Sequence, residues 1–301
     1  MELRHLRCFV AVAEELHFSR AAQRLHIEQS PLSRNIKELE DRLGVRLLNR
    51  DRRGTHLTHA GQAFLKDVRR VFIALEHAKK NARAVASGHC GLLRIALSDG
   101  AAYPRLAGLL ALIREEEPGV EIHLTEVPLA EQLRGLRNHT FDAGFARSAE
   151  VGDDIDVHPV WSEALVAAVP SRHPLLAHRL IPMEDLLRYP LVMCHPDTYE
   201  GHHRQVERVL RTVDTTPSVT EWVTSMEMML ALVGAGYGVG FVSAERMAVF
   251  RHPDVVVRPL ALDDAVLTTY LLTKIDEDTS ERLEAFIERV KREIRDSDAA
   301  D

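Results

Sequence analysis

A chain of 301 residues with 46% apolar content is long enough for two or three domains with real cores, and its net charge of −7, taken alone, speaks against nucleic acid as a partner. Splitting the chain reverses that inference: residues 1–88 hold 17 Lys and Arg against 10 Asp and Glu, net +7, whereas the remainder holds 21 against 35, net −14. A basic N-terminal module on an acidic body directs phosphate contact to the N-terminal end. Met1–Leu16 carries charges throughout and lacks a signal peptide's continuous apolar core, and no stretch approaches membrane-spanning length. Cys8, Cys90 and Cys194 form no CxxC pair, so neither structural disulfides nor a structural zinc is expected. These features predict a soluble, cytoplasmic protein without contact to membranes.

In chain order, Leu3, Leu6, Phe9, Val10, Ala13 and Leu16 form a helical stripe. A second helix opens at Ser19, whose hydroxyl is suited to cap the RAAQRL turn. A third opens with Ser30 as N-cap and Pro31 at the first helical position, where a missing N–H costs nothing. Leu32, Ile36, Leu39 and Leu43 mark its buried face, leaving Ser30, Ser33, Arg34 and Lys37 opposite. A small helix with an apolar back and a Ser/Arg/Lys front suits the major groove, which admits a helix and displays a distinct pattern for each base pair. Gly44 ends it. Val45–Leu48 and Thr55–Thr58 flank NRDRRG, a strand–turn–strand in which Arg50, Arg52 and Arg53 crowd the tip and Gly54 is free to take positive φ. The pattern is a winged helix-turn-helix whose wing grips phosphates or the minor groove.

Thr58 then caps a long helix to about Ser87, with Gly88 as its stop. Its seam of Leu65, Val68, Phe72, Leu75, Ala82 and Val85 either packs on its own domain or pairs two subunits; dimerisation is favoured, because so small a unit has little other surface to cover the seam. From Gly91 strands and helices alternate: strands at 92–97, 120–127 and 141–146 with helices at 104–116 and 128–136, then strands at 157–161 and 164–169. A second set follows, with strands at 191–194, 219–223, 239–243, 255–260 and 267–272 and helices at 201–211 and 225–235. Ser280 caps a final amphipathic helix through Leu283, Phe286, Ile287 and Val290, and the terminal DSDAAD is polar enough to be disordered. Such βαβ alternation implies a parallel sheet covered by helices.

The blocks MELRHLRCFVAVAEELHFSRAAQRLHI, QSPLSRNIKELEDRLGVRLLNR and LTHAG together resemble the N-terminal signature of the LysR-type transcriptional regulators. RIALSDG, FDAGFAR, VPSRHPLL and VGAGYGVGFVS match more loosely, in the expected order. The resemblance implies an α/β fold class with an N-terminal winged helix-turn-helix (1–58), a linker helix that pairs subunits (59–88) and a two-lobed, periplasmic-binding-protein-like effector domain (91–295). Lobe I would comprise 91–161 and 267–295, and lobe II 162–266. It further implies a homodimer assembling to a homotetramer on double-stranded promoter DNA, no cofactor beyond a small-molecule effector in the cleft, and RNA polymerase as a further partner. Gln29, Ser33 and Arg34 stand where the family reads bases, Pro31 where its ring touches a thymine methyl, and Arg50 and Arg53 beside the backbone or minor groove. Asn35 replaces the more common Gln.

For the effector, Ser98, Asp99 and Gly100 follow the first strand at the carboxyl end of a parallel sheet, where ligands bind in such folds. The Ser98 hydroxyl and a helix N-terminus there suit a carboxylate, although a turn serine needs no ligand and Asp99 disfavours an anion unless it points away. Leu129 stands where the family often has Thr or Ser, which leaves room for a more apolar effector. His195, Pro196 and Thr198 lie on the corresponding loop of the second lobe, and Phe241 is either an apolar wall or core. Met226, Met228 and Met229 read as packing of helix on sheet. Cys194, His195 and His202 raise metal or thiol sensing as an alternative, without the spacing of a recognised site. An α/β enzyme is disfavoured by the absence of GxSxG, P-loop, dinucleotide and HExxH motifs, and a periplasmic carrier by the basic N-terminal module.

Overall fold

The computed structural model describes residues 1–51, 54–86, 91–101, 103–275 and 280–298. The chain divides into two compact units, Met1–Lys80 and Asn81–Asp301.

The first unit comprises α1 (Leu3–Glu15), α2 (Phe18–Arg24), α3 (Gln29–Leu43), an antiparallel hairpin of β1 (Leu48–Asp51) and β2 (Gly54–Leu57), and the first part of α4 (His59–Ala86). Phe9, Val12, Ala21, Leu32, Ile36, Leu39 and Leu47 close its core. Two helix starts differ from the sequence reading. His17, not Ser19, caps α2 by accepting from the Arg20 N–H, while the Ser19 hydroxyl donates to Gln29 Oε1 at 3.0 Å. α3 begins one residue before Ser30, with Glu28 as N-cap, so Pro31 is its third residue. The shift costs little, since the first four N–H groups of any helix lack intrahelical partners.

In the second unit, β3 (Gly91–Leu97) is followed by α5 (Tyr103–Glu116), β4 (Val120–Glu126), α6 (Leu129–Arg137), β5 (Ala143–Ala146) and β6 (Ile155–Pro170). A short α7 (Met183–Leu186) leads to β7 (Leu191–Cys194), α8 (Glu200–Leu210), β8 (Val219–Val223), α9 (Met226–Gly234), β9 (Gly240–Ser243), α10 (Ala244–Val249), β10 (Val255–Pro259), β11 (Val266–Lys274) and α11 (Glu281–Asp298). One curled seven-stranded sheet runs β10-β6-β11-β5-β3-β4, with β9 also on β6; β7 and β8 form a parallel pair joined to it through Leu191 and Val239.

The sequence reading broke β6 at Ser162–Glu163; the structure shows one strand of 16 residues. Its first ten residues pair antiparallel with β11 and its last six with β9 and β10, so it runs through both halves of the unit. Helices cover both faces of each half, giving four apolar clusters. The first half packs around Ile95, Leu109, Phe145 and Trp161, and around Leu129, Leu136 and Phe141. The second packs around Leu165, Ile181 and Phe241, and around Val166, Met229 and Val242.

Candidate DNA-reading surface and effector cleft

On α3 the apolar period sends Leu32, Ile36 and Leu39 fully inward, which leaves Gln29, Ser30, Arg34 and Lys37 exposed and Pro31 and Ser33 half-buried. Asn35 turns away from that face and donates to Cys8 Sγ at 3.4 Å. Four hydrogen bonds pin the root of the wing. Glu40 Oε1 accepts from the Leu47 and Leu48 N–H groups at 2.7 and 3.0 Å, and the Thr58 hydroxyl donates to the Arg46 carbonyl at 2.7 Å while accepting from Gly61 N–H at 2.9 Å. Gly61 is required, because a Cβ there would run into the Leu47 carbonyl. Sequence reasoning missed Glu40; its signal was a carboxylate four residues after Ile36, between the two faces. Arg52 and Arg53 lie outside the described residues, as does the side chain of Arg50.

On α4 the expected dimer seam divides. Val68 is buried in the first unit's own core, with Leu65 and Phe72 packed against it, so this stretch is consumed by its own domain. Val71 is 46% exposed and Leu75 half-buried.

In the second unit a cleft of about 420 Å³ lies between the two halves of the curled sheet. Asp99, Gly100, Glu126, Val127 and Pro128 line it from the first half, and Thr198, Tyr199, Thr224, Ser225, Glu227 and Arg246 from the second. Of the sequence candidates, Asp99, Gly100 and Thr198 reach this cleft. Ser98 is buried and donates to Asp99 Oδ2 at 3.1 Å. Leu129 and Phe241 are each 2% exposed within apolar clusters and do not line this cleft, so Phe241 follows the core side of its two readings. His195 instead packs edge-on against Trp222, with Nδ1 accepting from the Asp197 N–H, and neither it nor Pro196 lines the cleft. Arg246, which the sequence did not reveal, is buried; it pairs with Glu227 at 2.5 Å and lies over the Phe250 ring. Burial pushes the Tyr199 hydroxyl up to about 12.

Beneath the cleft lies a buried charged network. Arg147 and Glu163, 4% and 2% exposed, pair at 2.7 Å. Arg147 also donates to His202 Nδ1 at 3.1 Å, which requires a neutral imidazole; burial, then the adjacent guanidinium, hold His202 well below its ordinary pKa. Gln205 accepts from the Thr268 N–H and donates to the Arg147 and Thr268 carbonyls.

The thiol and metal alternative is not favoured. Burial raises Cys194 to about 12, His202 is engaged by Arg147, and among the described residues no three His, Cys, Asp or Glu side chains gather as metal ligands. Of the methionines, Met226 and Met229 are buried but Met228 is 53% exposed. No helix among the described residues is long and apolar enough to cross a membrane.

One unit is a winged helix-turn-helix and the other a two-halved α/β unit with a ligand-sized cleft, the pairing found in DNA-binding regulators that respond to a small molecule. Residues 3–62 match the bacterial regulatory helix-turn-helix family of LysR type, and residues 86–295 the LysR substrate-binding domain. The chain belongs to the LysR family of transcriptional regulators. It is 36% identical to an uncharacterised HTH-type transcriptional regulator, YnfL of Escherichia coli K12, over 90% of this chain and 92% of that one. Among solved structures it resembles CbnR, a LysR family transcriptional regulator, with a TM-score of 0.74 and 29% identity over 97% of this chain and 99% of that one. It also resembles full-length CbnR complexed with its target DNA, with a TM-score of 0.73 and 28% identity over the same shares.

Proposed function

We propose that α3 reads operator bases through Gln29, Ser33 and Arg34, with Ser30, Pro31 and Lys37 completing the groove surface and Arg50, Arg52 and Arg53 on the wing holding phosphate or minor groove. The observation that carries this reading is the exposed polar face of α3, set opposite three fully buried apolar residues. The domains are those expected from sequence: 1–58 binds DNA, 59–88 links and pairs subunits, and 91–295 takes the effector in the cleft. The stretch of α4 from Val71 and Leu75 onward pairs two subunits into a homodimer, and two dimers form a homotetramer on an interrupted dyad. The protein acts in the cytoplasm at promoters, where RNA polymerase is its further partner. The CbnR complex with target DNA, whose chain this one resembles along nearly its whole length, supports the placement on DNA.

The test is selection of sheared genomic DNA near physiological salt by the full chain and by an Arg34→Ala variant. Wild type is expected to enrich a dyad upstream of a gene, and the variant to lose it, since one bidentate base contact carries about 1–3 kcal/mol of discrimination. Equal, uniform retention by both proteins would reduce α3 to a phosphate binder and overturn the assignment. Effectors are then sought among compounds that change affinity for the enriched site.

A further inference from the structure

The carboxylate of Asp99 is 3% exposed and spans the two halves of the second unit. It follows β3 in the first half, in a left-handed backbone conformation (φ 59°). Its Oδ1 accepts from the Gly201 N–H at 2.9 Å, in the first turn of α8 in the second half. Its Oδ2 accepts from the Arg147 N–H at 3.3 Å and from the Ser98 hydroxyl at 3.1 Å. The N-cap residue of α8, Tyr199, offers no side-chain cap, so Asp99, 102 residues before Gly201 in sequence, does that work. The approach is close: a Cβ on Gly201 would sit 2.6 Å from Asp99 Oδ2 and 2.6 Å from the Arg147 backbone.

Two backbone N–H groups, one of them in the first turn of α8, and a hydroxyl converging on one carboxylate make an anion-binding position. Here the chain supplies the anion itself. We propose that Asp99 is a built-in carboxylate that fills the anion position of the cleft and clasps its two halves together, so that the effector of this protein carries no acid group at that position. The donors that would hold an effector's carboxylate are already used by Asp99, so a second acid group placed beside them would meet carboxyl oxygens rather than free N–H and O–H groups. The rest of the cleft agrees: Glu126 and Glu227 face it, and its one arginine, Arg246, is paired with Glu227. The effector class is therefore a neutral or amine-bearing small molecule that hydrogen-bonds to Thr198, Thr224 and Ser225. This inference rests on the reading of the cleft as the effector site.

Chemical rescue tests it. Asp99→Gly keeps the left-handed backbone, which glycine adopts freely, and removes the carboxylate while leaving its three donors in place. The full chain is followed by tryptophan fluorescence during thermal unfolding in sodium formate or sodium acetate, against sodium chloride at equal ionic strength. The variant is expected to unfold at lower temperature and to regain the loss saturably with formate or acetate but not with chloride. Wild type is expected to show no such carboxylate-specific shift. Should Asp99→Gly be isolated unfolded, recovery of the folded fluorescence in formate alone is the same rescue. Asp99→Asn, which fills the space without the charge, is expected to fold and to ignore formate. Absence of rescue in Asp99→Gly, or a saturable formate shift in wild type, would overturn the proposal. Failure of the effector reading itself shows elsewhere, as operator affinity that no compound changes, and leaves the rescue result standing on its own.

Discussion

Removing one partner of the Arg147–Glu163 pair is expected to cost far more than removing both. In Glu163→Leu the guanidinium of Arg147 stays buried, with His202 as its remaining side-chain acceptor, and loses the carboxylate at 2.7 Å. Breaking a buried pair in this way costs about 3–5 kcal/mol, because an uncompensated charge is left behind. For a domain of about 150–250 residues each kcal/mol moves the unfolding midpoint by roughly 2–4 °C, so the midpoint should fall by about 6–20 °C. Burial opposes ionisation of both partners, raising the pKa of Glu163 and lowering that of Arg147. The double variant Arg147→Met/Glu163→Leu sheds both penalties and is expected to recover most of the loss. The assay is specific to this unit, since Trp161 and Trp222 are the chain's two tryptophans and both lie in it. A shift under about 2 °C in Glu163→Leu would equate the pair with a surface salt bridge and refute the reasoning. So would a double variant as unstable as the sum of the singles.

His202 sets a second expectation, in pH. It is neutral when folded and, unfolded, protonates near its ordinary value of about 6.5, so it leaves stability unchanged above that pH and lowers it as pH falls below. The slope is at most about 1.4 kcal/mol per pH unit for one proton; burial, then Arg147, His203 and Arg246 around it, keep the folded imidazole neutral. Asp99 and Glu163, raised by burial, tilt the opposite way, since they become easier to bury as they protonate. The informative quantity is thus the difference between wild type and His202→Gln in unfolding midpoints from pH 8 to 5; identical slopes would discount the histidine. Cys194, at about 12, is roughly one part in ten thousand thiolate at pH 8, so iodoacetamide followed by peptide mapping should label it only after unfolding. Rapid labelling of the native protein would place the thiol at the surface. Gly61→Ala should displace the Leu47 carbonyl and lower the calorimetric transition of the first unit by about 1–3 kcal/mol, with loss of DNA affinity. Unchanged affinity would mean that the wing root is not held there.

Much of the DNA-reading unit was legible because its signals are local. A period of 3.6 residues puts Leu32, Ile36 and Leu39 inside and therefore Arg34 and Lys37 outside, whatever surrounds them. The cleft was legible only in part, because its groups are chosen by partners distant in sequence. The expected strands stopped at Trp161 and resumed at Ala164, yet Glu163 between them is a buried strand residue held by Arg147, and a pattern that assumes charges are solvated leaves it out. Phe241 and Leu129 had the polarity of a pocket wall and the burial of a core, and only packing tells the two apart. The α4 seam raised the same difficulty, since an apolar stripe does not say whether its own domain or a second copy covers it.

β6 carries one more consequence. The same strand is laced to β11 along its first part and to β9 and β10 along its last, and its register slips once, opposite Thr269 and Tyr270, where Val160 is left over. Such an extra residue bends a strand without cutting its ladder. The two halves of the cleft are therefore joined by a leaf spring rather than a loose hinge. Any opening of the cleft has to flex this strand, close to where its partners change from β11 to β9 and β10.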